Sequence, residues 1–168
     1  MNICWIDNKI NDKEIIYDIL ALKNVRIAVV NKIFPLISNL SVFENIVLPV
    51  CYHTGEKLDK YYDKVASLLK QFNMDTKIHF RQNELSKYEN FVVRFLQGYL
   101  SGFDKIVVIN EIYDLTLEEK KSVVSFLKAE KSDNVLFMEY NRYKNIYDGF
   151  EYNTIEDYKN WLTQGLKI

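Results

Sequence analysis

Apolar positions along the chain follow two periods. Three short runs, Val25 to Val30, Lys105 to Ile109 and Val135 to Met138, are β-branched or otherwise apolar, too short for helices and bounded by polar residues. They predict buried parallel strands. Asn2 to Asp7 alternates and ends in Asp-Asn-Lys, the pattern of an outer or edge strand. Between these runs the spacing changes to three and four. Leu58, Tyr61, Tyr62, Val65, Leu68, Leu69 and Phe72 share one helical face, and Leu85, Tyr88, Val92, Phe95 and Tyr99 share another. Val123, Phe126 and Leu127 mark a third helix, with Thr116 as its N-cap and Glu118 and Glu119 in the first turn, where acids are favoured. Strands alternating with helices predict an α/β sheet with crossover connections. No strand is predicted from about Ser41 to Leu100, which reads as a helical insert.

Composition narrows the picture. A chain of 168 residues, 48% hydrophobic and 14% aromatic, has material for one sizeable core and is short for two domains. Five glycines and two prolines leave no linker or repeat. A net charge of −1, with lysines and acids interleaved, gives no basic face for a run of phosphates, so nucleic acid is not an expected partner. The N-terminus lacks a basic and apolar leader, and no window approaches the ~20 apolar residues of a spanning helix. A cytosolic protein is expected, reaching a membrane through a partner. Cys4 and Cys51 lack metal or redox spacing and read as packing residues. His53 and His79 have no nearby ligand motif, so no metal is expected. Gly98 and Gly102 read as helix-end glycines. The Tyr-rich tail from Tyr140 to Trp161, with acids between its rings, is expected to pack on the sheet and not to stack on bases.

Four segments, in order, resemble the ABC-type ATPases. The run from Arg26 to Pro49, with Asn39-Leu-Ser-Val-Phe-Glu-Asn45 inside it, is similar to the family's Q-loop strand, loop and helix. Asn83 to Glu89, containing Leu85, Ser86, Lys87, Tyr88 and Glu89, falls where the family has its LSGGQ signature. Asp104 to Glu111 falls at the Walker B strand, and Val135 to Tyr140 at the switch-histidine strand. Phe34-Pro-Leu36 and Val47-Leu-Pro49 most resemble the subgroup of FtsE and the lipoprotein and lipid exporters. The resemblance implies an α/β fold of the P-loop NTPase type: a partial RecA-like parallel sheet from residues 2–40 and 101–168, with residues 41–100 as an inserted helical subdomain.

The same resemblance shows what is altered. No G-x-x-x-x-G-K-[ST] is present, so the backbone cradle that surrounds phosphates is missing, and the chain is expected to begin beyond the family's phosphate loop. Lys32 stands in place of the Q-loop Gln, Asn110 in place of the Walker B Asp, Thr116 in place of the D-loop Asp and Tyr140 in place of the switch His. Lys87 and Tyr88 replace two signature glycines. Glu111, at the catalytic carboxylate, is retained. These departures imply a pseudo-ATPase with no cofactor, in which docking outlives catalysis. Phe34, Leu36, Ile37, Leu40, Val42 and Phe43 are expected to form the groove for an integral membrane subunit, FtsX-like or an exporter permease. Two other readings stay open: an ATP-binding subunit whose phosphate loop comes from elsewhere, and a soluble interaction module with no membrane partner. Without a phosphate-loop strand beside it, Val135 to Met138 is an apolar edge. It is expected to be capped by Asn2 to Asp7 folding back, or by a second copy in a homodimer.

Overall fold

A computed structural model describes residues 1–164. Five parallel strands form one sheet: β1 (Asn2–Ile6), β2 (Ile27–Val30), β3 (Lys105–Ile109), β4 (Val135–Tyr140) and the two-residue β5 (Asn153–Thr154), in the spatial order β2-β3-β4-β1-β5. The helices are α1 (Asp12–Leu20), α2 (Val42–Thr54), α3 (Tyr62–Lys70), α4 (Lys87–Leu100), α5 (Leu117–Ala129) and α6 (Tyr158–Thr163). Leu58–Tyr61 and Asn141–Tyr147 are 3₁₀ turns.

Both faces of the sheet are covered, which is why its central strands read as continuous apolar runs. On one face Ile3, Val108 and Phe137 pack with Ile46, Leu69 and Phe95 from the helices between β2 and β5. On the other, Cys4, Val107 and Met138 meet Ile15, Ile16 and Ile19 of α1 and Leu162 of α6. All six residues of β4 are buried.

The expectation that β4 is capped from within the chain is met, in a stronger form. β1 pairs with it in parallel over its whole length, from Asn2 opposite Leu136 to Ile6 opposite Tyr140. β1 is therefore an inner strand, with β5 on its far side over Asn2 and Ile3. Its alternation arises because Trp5 lies half-buried against Tyr147 and Tyr152 while Cys4 and Ile6 are buried.

Local chemistry sets the element ends. Thr116 caps α5 as expected, its Oγ1 accepting the Glu119 N–H while Glu119 accepts the Thr116 N–H. Ser41 and Ser86 form the same reciprocal boxes with Glu44 and Glu89 at α2 and α4. Gly98 departs from its helix-end reading. It lies inside α4, where an added Cβ would sit 3.1 Å from the Ala28 Cβ, so the missing side chain lets α4 lie directly on β2. Gly102, at φ +70°, is the left-handed glycine beyond the helix.

Candidate functional site

Parallel α/β sheets gather polar chemistry at the carboxyl ends of their strands. Here the ends of β1 to β4 all contribute. Asn11 caps α1, its Oδ1 accepting the Glu14 N–H at 3.0 Å. That cap places Asp12, the first helical residue, over the strand ends.

The Asp12 carboxylate collects three donors. Asn31, after β2, donates Nδ2–H to Oδ2 at 3.1 Å and a second proton to the Ile109 carbonyl at 2.8 Å. Tyr140, at the end of β4, donates its hydroxyl to Oδ1 at 2.9 Å. Asn110, following β3, donates Nδ2–H to the same oxygen, and its Oδ1 accepts the Tyr140 N–H at 3.2 Å. Asn31 and Asn110 are buried. Burial, then the bond to Asp12, pushes the Tyr140 hydroxyl up to about 12, so it stays a donor through the neutral range.

A second carboxylate is bound alongside. Glu111 accepts the Lys32 backbone N–H at 2.5 Å through Oε1 and pairs with the Arg94 guanidinium at 2.6 Å through Oε2. The Glu111 side chain is buried, at 4% exposure, and that of Arg94 is partly buried, at 11%, so one residue of β3's carboxyl end joins the loop after β2 to α4.

Two adjoining clefts, about 480 and 400 Å³, share Lys32, Asn110 and Tyr113. Lys13 and Arg142 also line the first, and Arg142 lies 4.5 Å from the Tyr140 ring. Tyr113 and Tyr143 stack there, with centroids 4.4 Å apart and planes 6° from parallel. Leu85 and Lys87 line the second cleft. Beneath the site the Glu139 carboxyl is wholly buried, with one oxygen accepting the Ile112 N–H at 3.3 Å.

Lys32, Asn110, Glu111 and Tyr140 therefore do converge on one site. Thr116 does not join their network and serves α5 as its cap. In the signature-like segment Ser86 caps α4, Lys87 is exposed, Tyr88 is half-buried, and Glu89 pairs with Lys77 at 3.0 Å. The expected docking groove is divided: Phe34 and Ile37 are exposed, Leu40 is partly so, and Leu36, Val42 and Phe43 belong to the core. The division is enforced by buried Asn45, which accepts the Ile37 N–H at 2.8 Å and donates to the Ile37 carbonyl at 3.1 Å, turning Leu36 inward. Among the described residues no group of acids, histidines and cysteines is arranged to hold a metal.

Asp12, Asn31 and Arg94 carry no motif and escape sequence reading. One signal was present. From Asp7 to Glu14 the segment has the length of a G-x-x-x-x-G-K-[ST] loop, with Lys13 at the lysine's place and Asp7 and Asp12 at the two glycines'. It joins β1 to α1 beside β4, where the resemblance puts the phosphate-loop strand. β1 and α1 thus occupy the place in the sheet where a strand and helix were expected to be missing, and of the loop pattern only Lys13 is kept, with Glu14 at the Ser/Thr place and no glycine.

No protein-family model matches the sequence, and no curated protein is similar to it in sequence. Solved structures do match. An ABC transporter assigned to the metal-chelate type, in an inward-facing conformation, superimposes with a TM-score of 0.61 at 17% identity, covering 83% of this chain and 62% of that one. The dimeric ATP-binding cassette MJ0796, in a post-hydrolysis state with ADP and Pi, gives 0.61 at 17% identity, with 90% and 68% covered. Its other dimeric structure gives 0.60 at 16% identity, with 88% and 65% covered. The architecture is that of a P-loop NTPase-like α/β domain. More narrowly, the chain has the fold of an ABC transporter ATP-binding cassette, and it spans about 62% of the first of those chains. No helix among the described residues is long and apolar enough to cross a membrane.

Proposed function

We propose that this chain is a subunit of ABC-transporter type that neither binds nor hydrolyses ATP, and that docks on and regulates an integral membrane partner, FtsX-like or an exporter permease. The observation that carries this reading is the Asp12 network. A phosphate cradle presents free donors to an anion; here the donors at the ends of β2, β3 and β4 are already bonded to a carboxylate of the chain itself. The departures Asn110 and Tyr140 supply two of those donors, so they form a matched set with Asp12 and not a scatter of losses. Glu111, held by Arg94 and the Lys32 N–H, is not placed to activate a water. The likeness to FtsE adds cell division or envelope maintenance as the setting, and the exposed Phe34 and Ile37 supply anchors for a partner's helix.

The direct test is magnesium-ATP added during thermal unfolding, with phosphate release measured in parallel. Millimolar ATP on a ~10 μM site stabilises by nearly 3 kcal/mol. The expected result is no stabilisation and no release. A shift abolished by Lys13→Ala supports the alternative of an ATP-binding subunit. Loss of a co-purifying membrane protein on Phe34→Glu supports the docking role; a protein that leaves membranes unaffected in both forms supports a soluble interaction module.

A further inference from the structure

A second surface lies at the far edge of the sheet from Phe34, and it rests on nothing in the pseudo-ATPase reading. β5 covers β1 only over Asn2 and Ile3. Among the bonds that cross are Asn153 N–H to the Met1 carbonyl at 2.8 Å and Ile155 N–H to the Ile3 carbonyl at 2.7 Å. In a parallel ladder every second residue turns its N–H and C=O to the same neighbour. Trp5 therefore turns its backbone groups to this side too, beyond the end of β5, and no strand among the described residues pairs with it there.

Beside that unpaired stretch, between β1 and α1, is a cavity of about 430 Å³. Its floor is apolar: Cys4, Ile6, Ile15 and Met138 line it, none more than 5% exposed. Its charges are of one sign. Asp7, Glu14, Asp18 and Glu156 line it with no lysine or arginine among the lining residues. Asp18 is paired with Lys159 at 2.7 Å; Asp7, Glu14 and Glu156 have no ion pair among the described residues.

An apolar floor below an acidic rim fits one kind of side chain, an aliphatic stem ending in a cation. A strand edge beside the cavity fits an extended backbone. We infer that this is a docking site for an extended basic segment of a protein partner, which continues the sheet beside Trp5 and lays alternate Lys or Arg side chains across Ile6 and Ile15 toward Glu14 and Glu156. Cavity, charge and unpaired backbone each point to that occupant separately.

The test uses the full chain and a fluorescein-labelled Lys-Val-Lys-Val-Lys-Val peptide, followed by anisotropy at low ionic strength. Three comparisons accompany it: the Glu-Val repeat of equal length, the Lys-Val peptide N-methylated at alternate amides, and the double variant Glu14→Gln, Glu156→Gln. Both glutamates are exposed, and an unchanged melting temperature verifies the variant's fold. The Lys-Val peptide is expected to bind, the Glu-Val peptide to fail, and N-methylation and the double variant each to weaken binding about tenfold or more. The proposal is overturned if the Lys-Val peptide does not bind at millimolar concentration, or if the double variant binds it unchanged. Equal binding of the N-methylated peptide would show charge attraction without strand pairing, and displacement of the peptide by hexylammonium at matched concentration would show a small-cation pocket. Either also overturns it.

Discussion

The Tyr140 hydroxyl and the Asp12 carboxylate lie 2.9 Å apart although the two residues are 128 positions apart in sequence. Their bond joins the end of β4 to the start of α1 at the carboxyl ends of the strands. Asn110 and Asn31 make the same connection from β3 and β2. Removing the acceptor is therefore expected to cost more than an ordinary surface substitution. Asp12→Ala removes the acceptor of two buried amides and a hydroxyl, and a loss of about 2–3 kcal/mol in urea unfolding is expected. Asp12→Asn keeps one acceptor oxygen and should lose less. A loss below about 0.5 kcal/mol for Asp12→Ala would show that water replaces the carboxylate freely.

Arg94 and the buried Glu111 form a largely desolvated pair, and removing the arginine strands a buried charge. Arg94→Met is expected to destabilise by about 3 kcal/mol. Adding Glu111→Gln to it should recover part of that loss, since the stranded charge is then gone. A double-mutant cycle reads the coupling directly, and simple additivity would remove the clamp from the account.

The third prediction concerns pH. Desolvation pushes the Glu139 carboxyl up to about 8, with the charge of Glu111 adding to the shift, while the Ile112 N–H, Tyr147 and Lys120 act against it. An unperturbed Glu titrates at 4.5. Between those values the folded protein keeps a proton that the unfolded chain has released, so stability falls as pH rises, by up to about 1.4 kcal/mol per pH unit. Below about 4.5 both states hold the proton, and above about 8 neither does, so the slope from this group vanishes. Glu139→Gln should flatten the profile of unfolding free energy against pH across that window. An unchanged slope in the variant would assign the dependence to other groups.

Phe34 and Phe43 separate the surface from the core. Phe43→Glu places a charge where Phe43 is 9% exposed, against Tyr62 at 5.4 Å, and is expected to unfold the protein or lower its melting temperature sharply. Phe34→Glu, at 42% exposure, should change stability by less than about 1 kcal/mol. Circular dichroism melts of the two variants decide between a core and a groove for each.

Some of this was legible in the sequence for physical reasons. β3 and β4 are buried on both faces, so Lys105 to Ile109 and Val135 to Met138 carry β-branched and apolar residues without alternation. Thr116 and Glu119 announced their cap by spacing alone. α1 was not legible, because nine residues with Ile15, Ile16 and Ile19 inward are too few for a period to declare itself. The site divides in the same way. Lys32, Asn110, Glu111 and Tyr140 were reached through ordered segments of a known pattern. Asp12 was not, because an acid in the first turn of a helix looks like an ordinary partner of the helix dipole. Arg94 was not, since nothing in α4's periodicity tells which polar residue faces a carboxylate 17 positions away. Leu36 and Val42 were assigned to a surface because apolar character is the same whether a residue faces a groove or a core.

The pairing of β1 with β4 also sets an order in time. A chain emerging from the ribosome delivers Asn2 to Ile6 long before their partners, which run from Leu136 to Tyr140, and β5 follows only at Asn153. Until most of this sequence has been made, β1 has neither strand neighbour; α1 is at hand to cover Cys4 and Ile6, but Ile3 waits for the helices that follow β2. Contacts of such sequence separation are late and slow to form. β2 and β3, with the helices between them, have a shorter separation to close, so the β2–β3 half of the sheet is expected to form while β1 still lacks both strand neighbours, leaving its edges open to other chains.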